Sequence, residues 1–490
     1  MTSLLFALSP FLVVSIGALL LMLSESFAKN RGGMALGTTI VFLAAGASAL
    51  GVWMRGLEDV DVSMVMPWIV LDKFTLFFCV VLCLGGALSA LLAGGYLPEH
   101  NLDRGEFYSL LLLSTFGAMV LAAAGDLLTI FVGLETMSLG VYALTAFRRA
   151  SPRSAEGAIK YFLLGSFAAA LLLYGFALLY GATGTTQLAQ IGSALRGGMT
   201  SPMVVLALVL ILAGLAFKVS AVPFHMWTPD AYEGAPTPAT TYMAVVVKAA
   251  AFAMMLRVLG IAFSDAGSTS WASGWPPVLA WLAVITMTVG NLIAGRQESV
   301  KRMLAYSSIA HAGYLLVGVV SMVRTGAAGQ GSVLFYLLTY TLSTAGAFGA
   351  LILCGRRGAE AVSYEDIAGI GRRHPAAALP FTLFLLSLAG IPPTAGFFGK
   401  WFLLKSAMSG GYTWLTIVVV MNSVLAAYYY LRVMVFMYMR EPAAGAPIAT
   451  PMRSGYVNAA LILSAILVVA IGVMPGSSLD FALAAAKGAV

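Results

Sequence analysis

The sequence predicts an all-α integral membrane protein with about fourteen transmembrane helices. Hydrophobic residues make up 60% of the 490 residues and charged residues only 10%, whereas soluble domains are about one quarter charged. Apolar runs of about twenty residues, the length that crosses a hydrocarbon core, follow one another along most of the chain. These runs are apolar on all sides, as in VLALVLILAGLAF. That pattern excludes a membrane β-barrel and leaves helices, which pair their own backbone polar groups within lipid.

Glycine, proline and charged residues separate the apolar runs and give approximate bounds for each span. The predicted spans are 4–23, 34–54, 74–95, 107–124, 127–147, 159–181, 203–226, 237–258, 276–295, 300–322, 330–354, 377–407, 411–438 and 455–475. The first run lacks a basic start and is longer than the core of a signal peptide, so we expect a retained helix. The longest interval, around 355–376, is basic and polar and is expected along the membrane surface.

Lysine and arginine are distributed unequally between the two sides that fourteen spans define. With the N-terminus outside, sixteen lie in inner loops and six in outer segments, which by the positive-inside rule predicts both termini on the outer, periplasmic side. The inner set is Lys29, Arg31, Arg104, Arg148, Arg149, Arg153, Lys160, Arg296, Lys301, Arg302, Arg356, Arg357, Arg372, Arg373, Arg440 and Arg453. The outer set is Arg55, Lys73, Arg196, Arg257, Arg324 and Lys487. The net charge of +7 therefore reports topology, and no nucleic acid partner is expected.

Four charged residues lie well inside predicted spans, where an unused charge is costly and rare. They are Glu135 in FVGLETMSLG, Lys218 in LAGLAFKVSAVPF, Lys248 in AVVVKAAAF and Lys400 in TAGFFGKWFLL. Burial disfavours the charged form of a lysine, and a nearby carboxylate favours it. A small displacement of Glu135 relative to Lys218 would therefore make this lysine bind or release a proton. We predict a proton relay; the alternative is a buried ion pair that only fixes helix packing.

Prolines interrupt two of the predicted spans beside these lysines. Pro223 follows Lys218, and Pro392 and Pro393 precede Lys400. Because proline lacks a backbone N–H and clashes with the preceding turn, both helices are expected to be broken. Broken helices at matching places of two halves indicate a transport site. A kink without transport is the alternative.

Histidine and further acidic residues add weaker candidates. His311, in SSIAHAGYLL, is a titratable group within a span and the weakest member of the predicted relay, because a lone histidine more often serves packing. His225, near a membrane boundary, has the same two alternatives. Asp126, Asp230 and Glu233 lie at span ends or in loops and are predicted to be helix caps or interfacial residues.

A known family becomes recognisable at these residues. The relevant segments are FVGLETMSLGVYAL, EGAIKYFLLGSFAAALLLYG, LAFKVSAVPFHMWTPDAYEGAPTPATTYMAVVVKAAAF and LAGIPPTAGFFGKWFLLKSA. They resemble the antiporter-like subunits of respiratory complex I, and among these the subunit N family of bacterial NADH:quinone oxidoreductase, the counterpart of mitochondrial subunit 2. The resemblance covers roughly residues 70–440, and HMWTPDAYEGAPTP is its highly specific stretch.

The resemblance implies fourteen helices with two inverted five-helix repeats, helices 4–8 and 9–13, in which helices 7 and 12 are broken. The implied domains are 1–106 for helices 1–3, 107–258 for the first repeat, 276–438 for the second repeat and 455–490 for helix 14. By position, Glu135 matches the family's helix-5 glutamate, Lys218 its helix-7 lysine, Lys248 its helix-8 site and Lys400 its helix-12 site.

Three features of the chain favour subunit N over its sister subunits. Helix 8 has Lys248 where the sisters tend to have histidine, and helix 12 has Lys400 where subunit M has glutamate. The chain also ends soon after span 14, without the long lateral helix of subunit L.

The resemblance further implies a proton-translocating, non-redox subunit of the bacterial inner (cytoplasmic) membrane, driven by quinone reduction elsewhere in the complex. Its partners would be other membrane-arm and peripheral-arm subunits and the lipid bilayer. FMN, iron–sulfur clusters and quinone are expected in partner subunits and none in this chain, which has no G-x-G-x-x-G after a strand and no cysteine cluster. Cys79, Cys83 and Cys354 are predicted to be small buried residues, with no metal site.

Three other functions are compatible with parts of the pattern. A multi-subunit cation/proton antiporter shares the same helices and charges and would show sodium-dependent activity without NADH. A solute symporter would need a polar pocket between spans, whereas the sequence offers a line of titratable groups. A structural scaffold would tolerate replacement of the buried lysines without loss of transport.

Overall fold

The computed structural model describes residues 2–27, 33–58, 60–197, 201–355, 358–442 and 450–488. Within these ranges the secondary structure is helical, with isolated β-bridges and no strand, which confirms the predicted fold class. Twelve helices of this part of the chain are long and apolar enough to cross a membrane. The chain is a multi-pass α-helical membrane protein; the count of fourteen crossings and the two inverted repeats stay predictions.

The helices follow the predicted spans in order. Their bounds are α1 Ser9–Phe27, α2 Met34–Arg55, α3 Lys73–Glu99, α4 Glu106–Ala123, α5 Leu127–Thr145, α6 Pro152–Thr183, α7 Pro202–Lys218, α8 Trp227–Gly234, α9 Thr237–Ala262, α10 Trp275–Ala294, α11 Val300–Thr325, α12 Ala327–Leu353, α13 Pro375–Ala389, α14 Ala395–Ser409, α15 Thr413–Met439, α16 Gly455–Val473 and α17 Gly476–Lys487. Short helical turns at Thr2–Ala7, Leu188–Ala194 and Ile370–Arg373 complete the order. Helix α8, which begins directly after the predicted span 203–226, and the last helix, α17, have no counterpart among the predicted spans.

Aspartate side chains cap the N-terminal ends of two of these helices. Asp72 accepts a hydrogen bond from the backbone N–H of Thr75 at 2.7 Å, at the start of α3. Asp126 accepts from the N–H groups of Leu128 and Thr129 at the start of α5, as predicted for a helix cap. The side chains satisfy backbone donors that have no partner within the first turn of a helix.

The helices form a buried centre and a lipid-facing periphery. In α3, α9, α11 and α12, between 83% and 100% of the most apolar stretch is buried. In α1, α2, α6, α15 and α16 that share falls to between 28% and 39%. The exposed remainder of the peripheral helices is apolar and suits contact with lipid tails. Polar groups of the central helices are therefore shielded from both lipid and water.

Two spans are broken where proline was predicted to break them. Helix α7 ends at Lys218 before Pro223, and the chain becomes helical again in α8. Helix α13 ends at Ala389 before Pro392 and Pro393, and α14 follows. Each break interrupts the hydrogen bonds of the helix, so backbone groups at the break need partners outside the helix.

Two basic residues predicted in loops are instead buried in helices. Arg257, from the predicted outer set, lies inside α9 because a π-helical turn extends this helix to Ala262. It is 3% exposed, and its guanidinium group binds both carboxylate oxygens of Asp72 at 2.9 and 3.0 Å. Lys301, from the predicted inner set, is the second residue of α11 and has no exposed surface. Both residues are therefore corrected from loop to interior.

Two basic residues of the predicted inner set, Lys160 and Arg302, lie together at one end of the protein, on either side of Asp230. Its carboxylate binds Lys160 of α6 and Arg302 of α11, each at 2.8 Å, so the interfacial role predicted for it corresponds to an ion pair between helices. Four further members of the inner set lie outside the described residues: Lys29, Arg31, Arg356 and Arg357. Which membrane face this end occupies stays a prediction.

Candidate functional site

Lys218 is the last residue of α7, where the span is interrupted, and its side chain is buried. Its Nζ atom donates a hydrogen bond to the Ser138 hydroxyl of α5 at 2.8 Å. Glu135 lies one turn before Ser138 on α5, and one of its carboxylate oxygens is buried without a hydrogen-bond partner in the described structure. The predicted Glu135–Lys218 pair is thus not a direct ion pair, because no carboxylate lies within 4.0 Å of Nζ among the described residues.

The break after Lys218 is stabilised by side chains and by the backbone itself. Ser220 adopts a φ of 63°, a left-handed conformation that ends the helix. The N–H of Val222 then donates to the Thr286 hydroxyl of α10 at 2.9 Å, and the Trp227 indole donates to the Phe217 carbonyl at 3.2 Å. These bonds satisfy polar groups that the broken helix would otherwise leave unpaired in lipid.

Lys248 lies in the middle of α9, directly after the π-helical turn Met243–Val247. Its buried ammonium group binds both the carbonyl and the hydroxyl of Ser308 on α11. The Tyr340 phenol of α12 donates to the same Ser308 hydroxyl at 2.9 Å. π-Helical turns are frequent at functional sites, and no residue pattern in the sequence marks this one.

His311 lies on α11, one turn after Ser307, and is 3% exposed. Its Nδ1 atom is 2.6 Å from the Tyr336 hydroxyl and its Nε2 atom is 3.0 Å from the Tyr430 hydroxyl. The Tyr430 hydroxyl also contacts that of Ser307. Both imidazole nitrogens therefore have phenol partners, and the sequence did not predict these partners. A role in proton transfer stays a prediction.

Lys400 lies in α14 and packs onto the end of the preceding half-helix. Its Nζ atom donates to the carbonyl of Ala389, the last residue of α13, at 2.8 Å. Gly390 has a φ of 84°, and a Cβ atom there would lie 2.9 Å from the Lys400 side chain. Glycine is thus required both for the left-handed conformation and for the close approach. The helix break supplies the acceptor for this lysine.

The rings of Tyr340 on α12 and Tyr314 on α11 lie between His311 and two of the lysines. The Lys248 ammonium is 5.5 Å from the centre of the Tyr340 ring, which is 5.1 Å from the His311 ring. The Lys400 ammonium is 5.2 Å from the centre of the Tyr314 ring, which is 5.5 Å from the His311 ring. The structure therefore brings these three predicted residues together around α11 and α12. Lys218 and Glu135 lie apart from them, between α5 and α7.

A largely buried acid outside the predicted site is Glu360, in the loop after α12, whose side chain is 12% exposed. Its carboxylate accepts hydrogen bonds from Tyr96 and from Thr237, the latter at 2.6 Å. It also forms ion pairs with Arg148 and Lys301, each at 3.3 Å. Burial by itself raises the pKa of Glu360, but the two cations and the two hydroxyl donors lower it to about 2. These five residues, the Glu360 cluster, thus form a permanently charged ion-pair network.

Thiol and metal-ligating groups are not gathered in this region. Cys79, Cys83 and Cys354 are buried free thiols, as predicted. Among the residues that the structure describes, no group of three or more histidine, cysteine, aspartate or glutamate side chains is placed to hold a metal ion.

Comparison with known proteins gives consistent matches over nearly the whole chain. The family described as NADH:quinone oxidoreductase/Mrp antiporter, TM, matches residues 124–426. NADH-quinone oxidoreductase subunit N 1 of Sorangium cellulosum is 65% identical, over 98% of each chain. NADH-quinone oxidoreductase subunit N of Trichlorobacter lovleyi is 44% identical, over 98% of this chain and 96% of the relative.

Solved structures match with the same coverage. A chain of respiratory complex I from Thermus thermophilus with bound aureothin is 35% identical, with a TM-score of 0.79 over 96% of this chain and 98% of that chain. A chain of the Mrp complex from Dietzia sp. is 24% identical, with a TM-score of 0.86 over 99% and 97%, a likeness that shows the fold alone. The resemblance noted from the sequence is confirmed: this chain belongs to the NADH:quinone oxidoreductase/Mrp antiporter membrane family, and within it to the family of NADH-quinone oxidoreductase subunit N.

Proposed function

We propose that this chain carries protons across the membrane through Glu135, Lys218, Lys248 and Lys400, with His311 as the weakest member of the path. It does so as a non-redox, antiporter-like subunit of NADH:quinone oxidoreductase. The observation that carries the proposal is the surroundings of the three lysines. Each ammonium group is buried, and each is bound by serine hydroxyl or backbone carbonyl oxygens and not by a carboxylate of the described structure.

Neutral acceptors suit a group that has to change its charge. A carboxylate partner stabilises the charged form of a lysine and would hold the proton, whereas burial disfavours that form. Hydroxyl groups accept a hydrogen bond from a charged lysine and can donate one to a neutral lysine, so both states are accommodated. Ser138 and Ser308 provide such hydroxyls next to Lys218 and Lys248. The proton can therefore leave without an unpaired carboxylate remaining behind.

The order of the path follows from charge repulsion between its members. A proton that arrives at Lys248 adds a positive charge on one side of the ring system of Tyr340, His311 and Tyr314, with Lys400 on the other side. This charge disfavours a second charge on Lys400, because like charges repel strongly where water is excluded. Lys400 would then release its proton towards the outer side. Lys218, supported by Glu135, would supply the inner half of the path.

The redox chemistry belongs to other subunits in this proposal. FMN, iron–sulfur clusters and quinone are held by membrane-arm and peripheral-arm partners, and quinone reduction there drives the proton path in this chain. The relatives named NADH-quinone oxidoreductase subunit N support this assignment over a separate cation/proton antiporter. Proton pumping by the assembled complex that depends on sodium and not on NADH would favour the antiporter.

The proposal places the chain in the bacterial inner membrane with both termini on the periplasmic side. Ala150→Cys, in the loop after α5, should react with a membrane-impermeant maleimide only from the cytoplasmic side of oriented vesicles. Lys487→Cys, in α17, should react only from the periplasmic side. Both positions are exposed, and the native thiols Cys79, Cys83 and Cys354 are buried, so the background is low. Labelling of both positions from one side would contradict this topology.

Lys400 provides the sharpest test of the relay. Lys400→Met removes the charge and keeps much of the shape, whereas Lys400→Arg keeps the charge and changes the packing against Gly390. In proteoliposomes that contain the assembled complex, Lys400→Met should lower the number of protons pumped per NADH far more than Lys400→Arg lowers the yield of assembled complex. If Lys400→Met pumps as well as the parent at matched NADH oxidation, the path does not leave through Lys400, and His311 becomes the next residue to test.

A further inference from the structure

A basic cavity lies between the starts of α13 and α16, away from the proton path. Its volume is about 830 Å³. The polar groups around it are Arg373, His374, Arg453, Ser454 and Asn458. Its apolar lining includes Leu353, Ala376, Ala377 and Met452. Both helices begin here and continue as apolar segments, so the cavity lies at the membrane interface, on the side of the predicted inner loops.

The cavity carries positive charge that no acid of the described structure neutralises. Arg373 and Arg453 are exposed and form no ion pair among the described residues, and no aspartate or glutamate lines the cavity. The neighbouring Arg372, which does not line the cavity, pairs with Glu441 at 3.6 Å. The first-turn N–H groups of α13 and α16 add the positive ends of two helix dipoles. This combination attracts an anion, and phosphate suits arginine in particular.

An apolar strip continues from the cavity towards the middle of the membrane. Leu379 lies one turn beyond Ala376 on α13 and is 61% exposed. Ile462 lies one turn beyond Asn458 on α16 and is 60% exposed. The same helix faces therefore present charge at the interface and aliphatic side chains below it. A free phosphate ion would use only the upper part of this surface, whereas a phospholipid would use both parts.

We propose that the α13–α16 cavity binds the phosphate headgroup of an anionic phospholipid, whose acyl chains lie against Leu379 and Ile462. Basic pockets between membrane helices on the cytoplasmic side are the usual sites for anionic headgroups. Binding there would join the second broken span to the last long helix without any contact with the lysines of the proton path. The proposal is thus independent of the relay, and its test reads lipid binding and not proton transport.

The test uses phosphatidylglycerol with a photoreactive diazirine in one acyl chain, added to the intact purified complex. After illumination, mass spectrometry of peptides should locate the label on α13 and α16. The double variant Arg373→Gln/Arg453→Gln should lower this labelling about thirtyfold, since each basic residue near an anionic lipid surface contributes about fivefold. Arg372→Gln, one residue away but outside the cavity, is the matched control and should label like the parent.

Competition experiments distinguish a bound lipid from a free anion, and further variants test whether the site exists. Unlabelled phosphatidylglycerol should displace the label, and phosphatidylcholine should do so far less. Displacement by inorganic phosphate at equal headgroup concentration would overturn the lipid in favour of a free anion. Equal labelling of the parent and the double variant would overturn the site altogether. If the double variant fails to assemble, the single variants Arg373→Gln and Arg453→Gln replace it; each should lower labelling about fivefold, and parental labelling of both would contradict the proposal.

Discussion

The Glu360 cluster and the lysine path place the same kind of cation, a buried lysine, in opposite surroundings. In the cluster, Lys301 shares a carboxylate with Arg148, and every cation has an anion beside it. In the path, Lys218 and Lys248 have only oxygen atoms of serine and of the backbone as partners in the described structure. A charge held by an ion pair is fixed, and a charge held by neutral groups can be given up. If the proposed path is correct, the partner of a buried lysine, and not its burial, distinguishes a transporting lysine from a structural one.

The positions of the two regions agree with this division. The Glu360 cluster joins the ends of α3, α9 and α11 and the loop after α5 to the loop after α12. Arg257 and Asp72 form a similar ion pair where α9 and the start of α3 meet. The lysines of the proposed path also lie beside irregular backbone, at helix breaks or at a π-helical turn, but no carboxylate of the described structure binds them. Arg257, which directly precedes a π-helical turn, is fixed by its ion pair, so the partner and not the backbone distinguishes the two regions.

Breaking the Glu360 cluster should have the largest effect of the changes considered, and the effect should be on stability. Glu360→Gln keeps the size of the side chain but leaves the buried Lys301 and the partly exposed Arg148 without their anion, which costs about 3 kcal/mol, the lower range for a broken buried ion pair. We expect a lower unfolding temperature and less assembled complex. The complex that does assemble should pump the parental number of protons per NADH. Glu365→Gln, an exposed residue of the same loop, is the matched control.

The pH dependence of the cluster follows from the same charges. The pKa of Glu360 is lowered from 4.5 to about 2, so its contribution to stability is present above the ordinary glutamate range and is lost as the pH falls through about 2. The difference in unfolding temperature between the parent and Glu360→Gln should therefore stay constant at any pH above about 5. A difference that disappears between neutral pH and mild acid would show that Glu360 is not held as an anion.

The sequence was sufficient for the helices and for the charges of the path, because both depend on local patterns. Apolar runs predicted the bounds of most long helices within a few residues, and proline predicted both breaks. The exceptions are α6, which begins seven residues before its predicted span, and α8, which lies outside the predicted spans. Glu360 was missed, because an acid in a polar loop beside Glu365 and Asp366 gives no sign of burial. Its partners come from four distant parts of the chain. The π-helical turn before Lys248 and the Ser138 contact of Lys218 likewise depend on packing between helices.

Removing a path lysine should give the reverse result, with a smaller effect on stability and a large one on transport. Lys218→Met replaces an unpaired buried cation by an apolar side chain, which is neutral or favourable for folding. Ser138 remains satisfied, since its hydroxyl also donates to the Leu134 carbonyl at 2.6 Å. Proton pumping per NADH should fall roughly 100-fold, the lower range for a positioned proton-transfer group. Lys405→Met, an exposed lysine of α14, is the control.

The outcome for Lys218→Met separates transport from scaffolding. Parental pumping by a fully assembled Lys218→Met complex would place this lysine with Lys301, as a residue that serves structure alone. Loss of assembly together with pumping would have the same meaning. Only an assembled complex that oxidises NADH and fails to pump agrees with the proposed path.

The smallest effect should come from the Tyr340 hydroxyl, which carries no charge and makes a single hydrogen bond to Ser308 beside Lys248. Tyr340→Phe keeps the ring between Lys248 and His311 but removes the hydrogen bond to Ser308. Loss of this single bond should lower proton pumping about fivefold, equivalent to about 1 kcal/mol, with little change in unfolding temperature. Tyr428→Phe, which removes an exposed phenol of α15, should pump like the parent. If Tyr340→Phe also pumps like the parent, Ser308 alone serves Lys248, and the proton reaches Lys400 without help from this hydroxyl.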